Sequence, residues 1–259
     1  DAGINARLLI LDYDQNDHLR GNLRGKILKS NFKLDFSYDL KSIKITNLVF
    51  RDKNLSFETN GALMLRPFFK SNFNTEIKDI NTNLLTNLNI LEILKSKDLI
   101  RKINFENNLS FSKKKFTNGL INDLKIQTIL EYGRLNILKE ILITNTVLMC
   151  NNNVNLLDEF PLINFDCKID SPDLKSFLKK FSINRKLNEQ KSLRITVTGY
   201  LNILNNKINF NKITSNNDYE ATKDDLKFFK EKFEKIIFDE KFINIFDKSK
   251  IKNFINEVY

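Results

Sequence analysis

The chain has 259 residues, 41% of them apolar and 22 of them Phe, enough for one large or two modest domains with a real core, and this excludes a natively unfolded polymer. Its 42 Lys and Arg against 32 Asp and Glu leave a formal charge of +10, but the basic residues are dispersed through a sequence rich in Lys, Asn and Ile, and the densest run, Lys113-Lys114-Lys115, is three long. One histidine, His18, and two cysteines, Cys150 and Cys167, cannot assemble a zinc site of ordinary spacing, and none of the glycine-rich phosphate loops or nucleophile elbows occurs, so no catalytic residue, metal ligand or cofactor is assigned.

In chain order, the first clear element is residues 31–40, where Phe32, Leu34, Phe36, Tyr38 and Leu40 alternate with Asn31, Lys33, Asp35, Ser37 and Asp39. Period two with one greasy and one wet face predicts a half-buried strand. Shorter runs of the same kind follow at 43–50, 55–57 and 73–77, with Asn60-Gly61 expected as a turn. Leu84, Leu88, Leu91 and Leu94 then fall at helical spacing and predict a helix within 82–96.

Alternation returns with Ile103, Phe105, Leu109 and Phe111, again with Leu124, Ile126, Leu130 and Tyr132, and in the runs 135–143 and 163–169. Asn118-Gly119 and Tyr132-Gly133 are expected as the intervening turns. Ser171-Pro172 reads as a cap and first-turn proline, followed by Leu174, Phe177, Leu178 and Phe181 on one helical face. A last alternating run holds Leu193, Ile195, Val197, Leu201 and Ile203 and ends at Asn205-Asn206. From Thr222 onward Leu226, Phe229, Phe233 and Ile236 predict a helix, and another is expected from Ser249 to the end. The chain therefore reads as a β-rich domain over 1–221, with helices near 82–96 and 171–182, and an amphipathic helical segment over 222–259.

The remaining chemistry-bearing residues have plain roles. Asp224-Asp225 follow Thr222, where acids complement the positive end of a helix dipole, and Asp158-Glu159 before Phe160-Pro161 read as turn acids between strands. Cys150 and Cys167 sit in neighbouring strand-like runs; an oxidising compartment permits a bridge, and a reducing one leaves two small buried hydrophobes. A basic stripe interleaved with stacking aromatics is absent, which argues against nucleic acid as a partner. No apolar stretch reaches the ~18 residues needed to span a bilayer. The chain starts at Asp1, so a signal or anchor is expected to lie outside it.

A ten-residue strand is about 33 Å long, more than a small sandwich needs. Many such strands side by side make a broad sheet whose apolar face needs covering by helices, by folding over or by ligand. The fold class expected is mainly β with a few helices (α+β), with long antiparallel strands in a curved, groove-like sheet partly covered by amphipathic helices. The residues expected to line the groove are Phe32, Leu34, Phe36, Tyr38, Phe105, Leu109, Phe111, Leu124, Ile126, Leu193, Ile195 and Val197.

Five segments carry a family resemblance: residues 21–27 leading into the long alternating strand, 61–69, 131–135, 155–161, and 198–203 closing on 207–210. Together they resemble the carboxy-terminal portion of an AsmA-like protein of a small AT-rich marine alphaproteobacterium. The resemblance covers the chain from about Gly21 to the end and rests on rows of strand-turn-strand units, not on a catalytic motif. It implies a non-catalytic periplasmic protein tethered to the inner membrane, whose β-groove carries or shields phospholipid or another envelope lipid, or serves outer-membrane assembly. Envelope proteins are the further partners it implies. The alternative reading is a β-rich periplasmic scaffold that binds another protein without lipid.

Overall fold

The computed structural model describes residues 4–13, 18–27, 30–80, 94–111, 121–184, 192–202, 204–216, 219–238 and 248–258. Alternation becomes strand throughout them. The strands are β1 (Ile4–Tyr13), β2 (Leu19–Ile27), β3 (Ser30–Asp39), β4 (Ser42–Arg51), β5 (Leu55–Met64), β6 (Lys70–Ile80), β7 (Asn104–Phe111), β8 (Asp123–Glu131), β9 (Arg134–Ile143), β10 (Thr146–Asn155), β11 (Leu162–Ser171), β12 (Leu193–Asn202) and β13 (Lys207–Ser215). They form one 13-stranded sheet in which spatial order equals chain order, curved and unclosed. Every neighbouring pair is antiparallel except β6 and β7, which run parallel. Parallel neighbours need a crossover, and residues 81–103 supply it, ending in helix α1 (Lys97–Lys102). The remaining described helices are α2 (Leu174–Lys180), α3 (Lys223–Ile237) and α4 (Lys248–Val258).

Turn chemistry explains the tight connections. Tyr132 and Gly133 have φ of 49° and 81°, the two left-handed positions of a type I′ turn between β8 and β9. Asp39 Oδ1 accepts from the Lys41 and Ser42 amides at 2.9 and 2.7 Å and closes the β3–β4 turn. Asn60-Gly61, expected as a turn, instead lies inside β5, because the ladder to β6 continues through Asn60↔Asn74 and Gly61↔Phe73. The reversal comes later, at residues 65–69 around Pro67. Leu40 and Tyr132 fall in turns and Ile103 caps α1, so each drops out of the strand expected for it.

Two of the four described helices confirm their expected starts or faces closely. Thr222 Oγ1 accepts from the Asp225 amide while the Asp225 carboxylate accepts from the Thr222 amide, a complete capping box for α3. Around Phe233, Phe210 of β13, Phe238 and Phe254 of α4 all stand edge to face, which fastens both terminal helices to the last strand. For α2 the cap is Asp173, whose Oδ1 accepts from the Ser176 amide at 3.1 Å. Ser171 is the last residue of β11, fully buried and hydrogen-bonded to Thr146 at 2.7 Å, so its hydroxyl is already committed across the sheet. The helix expected at 82–96 lies largely outside the described residues, as do Asn118-Gly119 and Ile203; Leu94 is buried just ahead of α1.

The closed core sits under α2. Phe111, Ile121, Ile143, Leu174, Leu178, Phe181 and Ile183 form it, with Ile77, Leu124, Leu148, Leu193 and Ile251 packed around. Leu201 and Ile208, paired between β12 and β13, and Ile237 of α3 are also buried. Cys150 and Cys167 are directly opposed on β10 and β11 and joined by a disulfide, which resolves the alternative left open by the sequence.

Candidate functional site: the apolar face of the sheet

Directly paired residues in a sheet share a face, so the register can be followed from strand to strand. One row runs Leu8, Leu23, Leu34, Leu48, Thr59, Thr75, Leu109, Ile126, Lys139, Cys150, Cys167, Val197 and Ile213, crossing the whole sheet. A neighbouring row contains Phe32, Phe50, Phe57 and Ile77 on one side and Phe111, Leu124, Ile141, Leu148, Ile169 and Ile195 on the other. Phe36, Ile45 and Phe73 lie in a third, and Tyr38, Ile43, Leu63, Phe105, Leu130 and Leu135 in a fourth. Leu193 pairs with Ser171 at the far end of the same face. All the residues expected to line a groove therefore share one face.

They do not share one environment. Phe111 is buried in the core beneath α2, with Leu124 and Leu193 against it. The β3 residues Phe32, Leu34, Phe36 and Tyr38 are only half-buried, as are Phe105, Leu109, Ile126, Ile195 and Val197. Among the described residues of β1 to β6 the buried positions are Gly21, Asn22 and Ser71; no apolar side chain there is buried. Phe50 and Phe57 stack on each other with ring centres 5.1 Å apart yet stay part exposed.

The middle of the face carries polar groups. Thr59 and Thr75 share a hydroxyl hydrogen bond of 2.8 Å, Thr75 donates to Asn107 Oδ1 at 3.2 Å, and Thr128 donates to the Asn107 carbonyl at 3.2 Å. Asn152 is buried with its Oδ1 unpaired. Lys139 is the one charged residue in the rows traced above. It makes no ion pair among the described residues, and desolvation by burial pushes its ammonium below the usual lysine range. The sequence held a signal for it: Leu135, Ile137, Lys139, Ile141 and Ile143 are in phase, so the lysine occupies an apolar position.

The opposite face exposes Leu9, Leu138 and Met149 but is mainly polar in the middle of the sheet. Asn60, Asn74, Asn108 and Gln127 line a cavity of about 580 Å³ there, together with Glu58, Glu76, Lys125 and Glu140. Its acids are neutralised locally: Lys78 bridges Glu76 at 2.7 Å and Glu58 at 3.3 Å, and Lys125 reaches Glu140 at 3.4 Å. The acid pairs singled out in the sequence stand in structural roles, Asp225 in the α3 capping box and Asp158 accepting from Asn155 at 2.6 Å in the β10–β11 turn. No group of three or more metal-binding side chains occurs among the described residues, and none of their helices is long and apolar enough to cross a membrane.

No family model, curated protein or solved structure matches this chain.

Proposed function

We propose that the chain is a non-catalytic, AsmA-like envelope protein whose apolar sheet face holds lipid acyl chains, for phospholipid transport, shielding or outer-membrane assembly. One observation carries the reading: among the described residues, the apolar face of β1 to β6 has no buried apolar side chain. Six strands at about 4.8 Å spacing, each some 30 Å long, leave an apolar strip larger than the few hundred Å² usual on a soluble monomer. Hydrocarbon is the filling that matches a strip with so few polar partners. Lys139, at the middle of the same face, offers its charge to an anionic headgroup. The Cys150–Cys167 disulfide supports an oxidising compartment such as the periplasm, and attachment to the inner membrane through a segment outside this chain completes the proposal.

The test pairs mass spectrometry of organic extracts with a double substitution, Leu34→Ser and Leu48→Ser, at directly opposed, half-exposed positions. In an open trough the hydroxyls meet water, so the fold survives and bound lipid falls away. In a closed core each loses packing, at about 2–4 kcal/mol per site. Wild-type protein free of extractable lipid, together with a steep loss of stability in the variant, replaces this reading by a scaffold that binds protein. The observation favouring that second reading is β1, which presents exposed apolar side chains on both faces.

A further inference from the structure

Large exposed apolar side chains are distributed unevenly between the two ends of the strands. Leu40, Phe68, Phe69, Leu99, Tyr132 and Phe160 are 40 to 69% exposed. They occupy the β3–β4 turn, the β5–β6 turn, helix α1, the β8–β9 turn and the β10–β11 turn. Leu204, in the β12–β13 turn, extends the series. All of these connections lie at one rim, because each closes the strand end carrying the row of Tyr38, Ile43, Leu63, Phe105, Leu130 and Leu135. At the other rim the described connections are Asp52-Lys53-Asn54, Ile121-Asn122, Thr144-Asn145, residues 172–184 with α2, and the turn after β13; among these described residues Tyr219, 42% exposed in that last turn, is the one large apolar side chain so exposed.

The apolar rim is stitched together. Asn104, at the start of β7, accepts from the Tyr132 amide at 3.1 Å and donates to the Phe69 carbonyl at 3.5 Å. Lys97 of α1 donates to the Leu157 and Asp158 carbonyls at 3.0 and 3.2 Å. Neighbouring turns therefore hold their tips in fixed relation.

We propose that this rim docks on the surface of an anionic lipid bilayer, its turn tips inserted at the boundary between headgroups and acyl chains. The tips form a line of separate points spread over roughly 45 Å of sheet width. A fluid surface accepts separate points, whereas a protein partner needs a continuous patch. Exposed cations stand among the tips: Lys41 beside Leu40, Arg66 beside Phe68, Arg101 and Lys102 beside Leu99, and Arg134 beside Tyr132. Of the rim acids Asp39, Asp98, Glu131, Asp158 and Glu159, Glu131 is paired with Lys70 at 3.6 Å, and Lys95 and Lys97, before and within α1, add to the cations. Cations are left in excess, as attraction to anionic headgroups requires. Docking there sets the lip of the apolar face against the membrane, and it goes beyond the proposed function because it does not need the trough to hold lipid.

The full chain is sedimented with vesicles of phosphatidylcholine and phosphatidylglycerol in equal parts. Wild type is expected in the pellet, with binding reduced on pure phosphatidylcholine or at high salt. The variant Phe68→Ser, Tyr132→Ser, Phe160→Ser should partition roughly tenfold less or lower, while Phe228→Ser, at an exposed α3 position, should bind as wild type. The sequence contains no Trp, so Phe160→Trp and Phe228→Trp give single reporters in folded protein; only the first should shift to the blue on adding vesicles. Wild type that stays in the supernatant, a triple variant that binds as well as wild type, or loss through Phe228→Ser overturns the proposal. None of these results bears on extractable lipid, so the trough reading stands or falls separately.

Discussion

Phenylalanine laid against glycine recurs on the apolar face. Gly21 faces Phe36, Gly25 faces Phe32, Gly61 faces Phe73 and Gly199 faces Phe165. A ring lying over a glycine restores the packing that the missing side chain forfeits and lets the strands approach closely. At Gly199 the approach is tight enough to exclude any larger residue, since an added Cβ would stand 2.1 Å from the Asn209 carbonyl oxygen and 2.7 Å from Phe165 Cζ. The irregularity in the β12–β13 register sits at this point. Gly199→Ala should therefore cost about 1–3 kcal/mol through forced movement of β13. Urea denaturation measures it; an unchanged midpoint means that the backbone yields without cost.

The two edges of the sheet are finished differently. Along β13 the chain turns back, with the Ala221 amide donating to the Ile213 carbonyl at 2.9 Å and a bridge between Thr214 and Glu220, and α3 packs beside it. At the other edge β1 presents Leu8, Leu9, Ile10 and Leu11, each 49 to 66% exposed, with no strand on its outer side among the described residues. An open edge with apolar side chains on both faces is a template for a further strand. Replacing Leu9 by Lys, on the face away from the trough, should lower concentration-dependent self-association in light scattering while leaving the melting temperature within a few degrees. If association persists unaltered, another surface carries it.

Across the whole molecule, the disulfide ties the half of the sheet under α2 and α3. Cys150 and Cys167 are 17 residues apart, and closing a loop of that size restricts the unfolded chain by about 3 kcal/mol. Reduction should shift the urea midpoint down accordingly, and the Cys150→Ser, Cys167→Ser variant should reproduce the shift without reductant. Equal midpoints with and without reductant would show that the hairpin alone fixes this region.

Local physics made much of this legible in advance. Period two in residues 31–40 requires a strand with Phe32 and Leu34 on one side and Lys33 and Asp35 on the other, whatever the strand pairs with. Thr222 with Asp225 likewise specifies a helix start, because both halves of the capping box lie within four residues. Three features depended on contacts distant in sequence. Asn60-Gly61 has turn composition, but ladder partners on both sides keep it in β5. Phe111 and Phe32 obey the same alternation, yet one is sealed beneath α2 and the other is half-exposed, since helix placement decides which part of a sheet face is covered. The parallel step between β6 and β7 and the gathering of Phe68, Tyr132 and Phe160 on one rim follow from strand order. Alternation carries no information about strand order, because it assigns side chains to faces and leaves neighbours unspecified.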